Sequence, residues 1–241
     1  IKMNIYQQVD FFRTNSNSLF ARKVMAIHLI LSLSIFAFSI SCGNMEDQSL
    51  ELSEPGRAEE AISLYSNQIS KNTDDSRAYS KRAEAYIQIG RYLEAVNDYT
   101  EVIRIGPEDT TNYINRGSAY LEIDQYGEAI NDFSRVIELE PTNEKGFSLR
   151  GESYYESGDF DNALIDFSSA LNINPDNSQT LNDRGMTYGQ LGQSRKAIDD
   201  FRKASVLNPD DPWGYINMGV ANIRLAEYEL AMANFDEAIA L

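Results

Sequence analysis

Apolar and small residues recur along this chain at helical spacing, and the pattern itself recurs about every 34 residues. Each block begins with a large apolar residue, a small residue four positions on and a tyrosine three beyond it. The series runs Tyr79–Ala83–Tyr86, Tyr113–Gly117–Tyr120, Phe147–Gly151–Tyr154 and Leu181–Gly185–Tyr188. A second stripe follows each first one: Ala95 with Tyr99, Ala129 with Phe133, Ala163 with Phe167, Ala197 with Phe201, and Ala231 with Phe235. In the unit Thr110–Asn143 this stripe also takes in Ile130, Val136 and Ile137. Two amphipathic helices per unit are predicted. Gly90, Gly158 and Gly192 between them suit a left-handed helix end, and Pro107, Pro141, Pro175 and Pro209 close the first four units. The small residue at Ala83, Gly117, Gly151, Gly185 and Gly219 removes bulk where paired helices would press closest. A mid-helix glycine costs about 1 kcal/mol against alanine, so close packing is the physical reason for it. No single unit can bury both of its faces, which predicts stacking.

Five such units in register resemble the tetratricopeptide repeat over residues 76–241. The resemblance implies an all-α, right-handed solenoid of helix–turn–helix units at 76–109, 110–143, 144–177, 178–211 and 212–241. The last unit has drifted, with Met218 and Asn222 in place of arginine and tyrosine. It stops at Leu241 before any closing proline, and truncation is the expectation there. Residues 57–75 match only the second helix of a unit, through Ala61, Tyr65 and Ile69, and read as a half-repeat cap.

One regularity goes beyond that family pattern. Arg82, Arg116, Arg150 and Arg184 are each followed sixteen residues later by an aspartate: Asp98, Asp132, Asp166 and Asp200. In the fifth unit both partners change together, to Met218 and Asn234. The spacing predicts a ladder of ion pairs, either inside each unit or between neighbouring units, with arginine favoured because its fork binds a carboxylate bidentately.

The N-terminal stretch does not follow the repeat. Arg22 and Lys23 precede the apolar run Met25–Ser41, and Cys42 follows directly. A basic start, a short apolar core and a small-residue exit describe a secretory signal over residues 1–41, too short for the roughly 20 residues of a spanning helix. With Cys42 at the exit it resembles a bacterial lipoprotein signal, departing from it at Ser39, where that family prefers leucine. The resemblance implies lipid attachment at Cys42 and tethering to a membrane of the bacterial cell envelope. Residues 42–56 are polar and acidic, closed by Pro55-Gly56, and read as a tether. Cys42 is the only cysteine, so no intrachain disulfide can form.

Candidate chemistry is sparse. The only histidine, His28, lies in the signal segment. Without histidine or a free thiol, the chain from Cys42 onward holds no nucleophile–base system and no His/Cys zinc site. Calcium-loop spacing and glycine-rich phosphate loops are also absent, so neither an enzyme nor a cofactor is expected. Asp74-Asp75 and Asp210-Asp211 fall where helix N-caps belong. Formal net charge is −16, and −19 from Cys42 onward, which disfavours nucleic acid and favours basic or neutral protein segments.

The repeat resemblance implies a concave groove, lined by first helices, that holds a peptide or a partner's helix. Side chains about 100° from the core stripe face it: Ile87, Ile114, Leu121, Tyr155, Met186, Ile216, Val220 and Ile223, with Lys81, Asn115, Ser118, Asn182 and Asn217 as polar company. Trp213 is placed at the rim. Ser80 and Glu84 stand where chaperone-binding relatives carry the lysine and asparagine of a carboxylate clamp, so chaperone-tail binding is not expected. The expected function is a non-catalytic, lipid-tethered scaffold for protein contacts. The alternatives are a recognition arm of a larger protein with a catalytic domain beyond Leu241, and a self-associating structural module.

Overall fold

The computed structural model describes residues 55–241; the signal segment, Cys42 and residues 43–54 of the tether lie outside the described residues. Those residues form eleven α-helices. The half-repeat is α1 (Pro55–Lys71). The pairs that follow are α2 (Ser76–Gln88) with α3 (Tyr92–Ile105), and α4 (Thr110–Leu121) with α5 (Tyr126–Leu139). Then come α6 (Glu144–Glu156) with α7 (Phe160–Ile173), and α8 (Ser178–Gln190) with α9 (Ser194–Leu207). The last pair is α10 (Trp213–Arg224) with α11 (Tyr228–Ala240). Pro55, read from sequence as the end of the tether, instead opens α1, a first-turn position where a missing N–H costs nothing.

Helix starts are fixed by short polar side chains at the repeat period. Asp75 accepts from the backbone N–H of Ala78, Asn143 from that of Gly146 and Asn177 from that of Thr180, at 3.0–3.1 Å. Asp109 accepts from Thr111 N–H at 3.0 Å and Asp211 from Trp213 N–H at 3.1 Å. Each removes one of the orphan donors at a helix start. The turn inside each unit passes through a left-handed residue. Gly90, Gly158 and Gly192 hold it at φ of 72–84°, but the second and fifth units use Asp124 (φ 58°) and Ala226 (φ 60°).

Each helix packs against its neighbours in sequence, and the first helices α4, α6, α8 and α10 also touch in succession, giving a stacked solenoid with one continuous first-helix face. Packing within a unit turns on the small residue and the second-helix aromatic. Phe133 and Phe167 are at most 1% exposed. A Cβ added at Gly117 would stand 2.7 Å from the Phe133 ring, and one at Gly151 2.9 Å from that of Phe167. The rings lie where a side chain would otherwise begin, which is why these helices approach so closely.

Candidate functional site

Two faces carry polar side chains in a regular arrangement. On one, every ladder arginine is engaged through all three of its nitrogens. Arg82 Nε and Nη2 donate to the two carboxylate oxygens of Asp98 at 2.8 and 2.6 Å, and Arg116 donates likewise to Asp132 at 2.8 and 2.7 Å. Arg150 meets Asp166 at 2.7 and 2.9 Å, and Arg184 meets Asp200 at 2.7 and 2.8 Å. All four pairs lie within a unit, joining its first helix to its second.

The remaining nitrogen, Nη1, reaches the other way. It donates to Ser66, Thr100, Ser134 and Ser168 at 3.0–3.4 Å, each sixteen residues before the arginine and on the preceding second helix. One guanidinium therefore pins three helices. The first-helix aromatics flank it: Arg82 lies 5.6 Å from the Tyr79 ring centre and 5.9 Å from that of Tyr86, and Arg116 lies 5.9 Å from both Tyr113 and Tyr120. The hydroxyl series was legible as a third column at constant spacing, and the fifth unit breaks it too, with Arg202 in that place. Each of these arginines commits three of its five N–H donors, one from every nitrogen, to holding the helices together.

The other face is the one formed by successive first helices. Of the residues expected there, Tyr155, Met186, Asn217 and Val220 come together around a recess of about 150 Å³, completed by Gly189, Gln190 and Arg224 over a floor that includes Phe201. Gln190 donates to the Tyr155 hydroxyl at 3.3 Å, and Arg224 donates to the Gly189 carbonyl, tying α8 to its neighbours on both sides. Ile114, Asn115, Ser118, Leu121, Asn182 and Ile216 are half-buried on the same series of helices, and Trp213 and Ile223 are exposed on α10. Ile87 and Met186 also pack against core clusters, so part of their apolar surface is used by the fold. Lys81 is paired with Glu84 at 2.8 Å.

Sequence reasoning missed the carboxylates of this region. Burial pushes Glu152 up to about 6, and the charges of Glu156 and Glu122 add to the shift. Burial likewise raises Asp183 to about 8, reinforced by Glu152 and opposed by the hydrogen bond from Gln179 at 3.0 Å. Glu156 is raised as well, by burial and by Asp124. No arginine or lysine offsets these shifts. Glu152 stands two periods after Glu84, with Ser118 between them, and Glu156 one period after Glu122, so the repeat itself was the available signal. Asn182 Oδ1, beside Asp183, is buried without a hydrogen-bond partner. Among the described residues no group of carboxylates, histidines or cysteines is placed to hold a metal ion, and no helix is long and apolar enough to cross a membrane.

Comparison with known proteins agrees with this geometry. A TPR repeat model matches residues 117–158 and 151–192, and a tetratricopeptide repeat model matches residues 76–109 and 178–211, together over half of the chain. No curated protein sequence matches significantly. Among solved structures, a crystal structure of MamA is 19% identical with a TM-score of 0.62, covering 66% of this chain and 92% of its own. MamA from residue 41 onward, from Desulfovibrio magneticus RS-1, is 20% identical with a TM-score of 0.63, covering 76% and 95%. YrrB, described as a TPR protein with an unusual peptide-binding site, is 20% identical with a TM-score of 0.59, covering 74% and 92%. At these identities the likeness is one of fold. The repeat models, the eleven stacked helices and the small-residue-to-aromatic packing converge: this chain belongs to the tetratricopeptide repeat proteins, typically non-catalytic scaffolds that bind peptides and proteins.

Proposed function

We propose that the chain is an exported scaffold, anchored by a lipid on Cys42, that holds a partner's peptide segment against its first-helix face. The observation that carries the binding reading is the recess between α6, α8 and α10, where Tyr155 and Val220, with the part of Met186 that the core leaves uncovered, present apolar surface. Glu152 and Glu156 on α6 and Asp183 on α8, carboxyls of the same first-helix series, would ionise against a segment that carries lysine or arginine beside its apolar residues. Export and anchoring are supported by the basic start at Arg22 and Lys23, the apolar run Met25–Ser41 and the cysteine at its exit.

Each half has its own test. Selection from a displayed peptide library on the immobilised chain should enrich basic–apolar sequences, and Tyr155→Ala with Val220→Asp should abolish their capture. Enrichment of acidic sequences, or capture indifferent to those two changes, would refute the groove. For the anchor, Cys42→Ala should move the chain from the membrane to the soluble fraction and remove metabolically incorporated palmitate. Unchanged membrane association in that variant would refute lipid tethering.

A further inference from the structure

The arginine ladder stops at the fifth unit, and a cavity of about 540 Å³ lies there between α9, α10 and α11. It is distinct from the peptide recess, because it uses the opposite face of α10: Tyr215, Met218 and Asn222 line it, whereas Asn217, Val220 and Arg224 line the recess. Its volume falls within the range of small-molecule sites.

Three substitutions make it. Met218 stands where the other units carry arginine, Asn234 where they carry aspartate and Arg202 where they carry serine or threonine. Elsewhere this space holds a guanidinium gripped by an acid and a hydroxyl; here the walls have the reverse character. The acceptor carboxylate has become an amide, and the hydroxyl has become a cation. Asn222 replaces the tyrosine that flanks each ladder arginine; it is 4% exposed and lines the cavity. Its amide offers a ligand there both a donor and an acceptor.

The rim completes the chemistry. Arg202 donates to Asp199 at 3.0 Å in an exposed i,i+3 pair, and Arg195 lies 3.9 Å from Glu227. Exposed pairs of this kind are weak and exchange readily for a better acceptor. Two arginines and two carboxylates leave the rim near neutral, which disfavours a multiply charged anion. Ile198, Met218, Leu225 and Leu230 supply an apolar lining. We propose that this cavity binds a monocarboxylate borne on an apolar body, its head held by Asn222 and Arg202 and its body against Met218 and Leu230. The same chemistry occurs in the C-terminal residue of a peptide and in a free organic acid.

The test is an NMR titration of the isotope-labelled chain with N-acetylphenylalanine, its amide N-acetylphenylalaninamide, and 3-phenylpropanoate. At about 10 mM, the range expected for such small probes, the acids should shift the side-chain signals of Asn222 and Arg202. The neutral amide should bind roughly tenfold more weakly. Arg202→Gln, at an exposed position, should erase that preference. The triple change Met218→Arg, Asn234→Asp and Arg202→Ser rebuilds the ladder and should abolish binding of all three probes. Tighter binding of N-acetylphenylalanine than of 3-phenylpropanoate assigns the site to a peptide terminus, and equal binding to a free acid. Absence of shifts, equal affinity for acid and amide, or shifts that survive in the triple variant would overturn the proposal.

Discussion

Arg116 and Asp132 meet through two parallel hydrogen bonds, Nε to Oδ2 at 2.8 Å and Nη2 to Oδ1 at 2.7 Å, while Arg116 Nη1 holds Thr100 of the preceding unit at 3.1 Å. The ladder therefore sets both the pairing of helices inside a unit and the seating of one unit on the next.

Burial pushes the Asp132 carboxyl up against the opposing pull of Arg116, so the net worth of the pair is small although breaking it is expensive. Arg116→Met alone strands a buried carboxylate and should cost about 3 kcal/mol, whereas Arg116→Met with Asp132→Asn should recover most of that loss. Urea unfolding of the three variants measures the difference. Equal losses in single and double variants would show that the pairing has no energetic weight.

The first-helix carboxylates make stability depend on pH, and the sign is fixed by their raised values. A carboxyl held more firmly protonated in the folded chain contributes its full stability below its unfolded value, about pH 4. That contribution is lost as pH rises through about 6 for Glu152 and about 8 for Asp183. The melting temperature should fall between pH 5 and pH 9, and Asp183→Asn should flatten the profile and raise Tm at the alkaline end. Thermal denaturation across that range is the check; a slope unchanged by Asp183→Asn would assign the effect elsewhere.

Gly117→Ala should destabilise, against the helix propensity gain of roughly 1 kcal/mol that alanine brings at an exposed position. The added methyl would lie 2.7–2.8 Å from the Phe133 ring, and overpacking of this kind costs about 1–3 kcal/mol. The first unit already carries Ala83 opposite Tyr99, so alanine is tolerated where the ring can sit differently. A lowered urea midpoint for Gly117→Ala, recovered by Phe133→Leu, would confirm the contact as the cause.

Ala226→Gly should stabilise. Ala226 sits at φ 60° in the turn where three other units use glycine, and a left-handed alanine costs about 1 kcal/mol. Asp124, at φ 58° in the second unit, should gain less from the same change, because its carboxylate accepts a hydrogen bond from the Tyr126 hydroxyl at 2.8 Å. Paired melting curves of the two glycine variants rank them.

The sequence by itself determined the helices, their pairing into units and the existence of an arginine–aspartate ladder, while the structure decided that its pairs close within a unit. Each of these is written in local spacing: stripes at three and four residues, caps such as Asp75 and Asp211, and an arginine-to-aspartate interval held through four units. Only the tertiary structure decided where the third guanidinium nitrogen goes, how far Glu152 and Asp183 are buried, and that Met218, Asn222 and Asn234 border a cavity. Those outcomes depend on how closely helices from different units press together. Such distances follow from side-chain volumes meeting across the stack, as with Phe133 against Gly117, and helical periodicity fixes the direction of a side chain without fixing what stands opposite it.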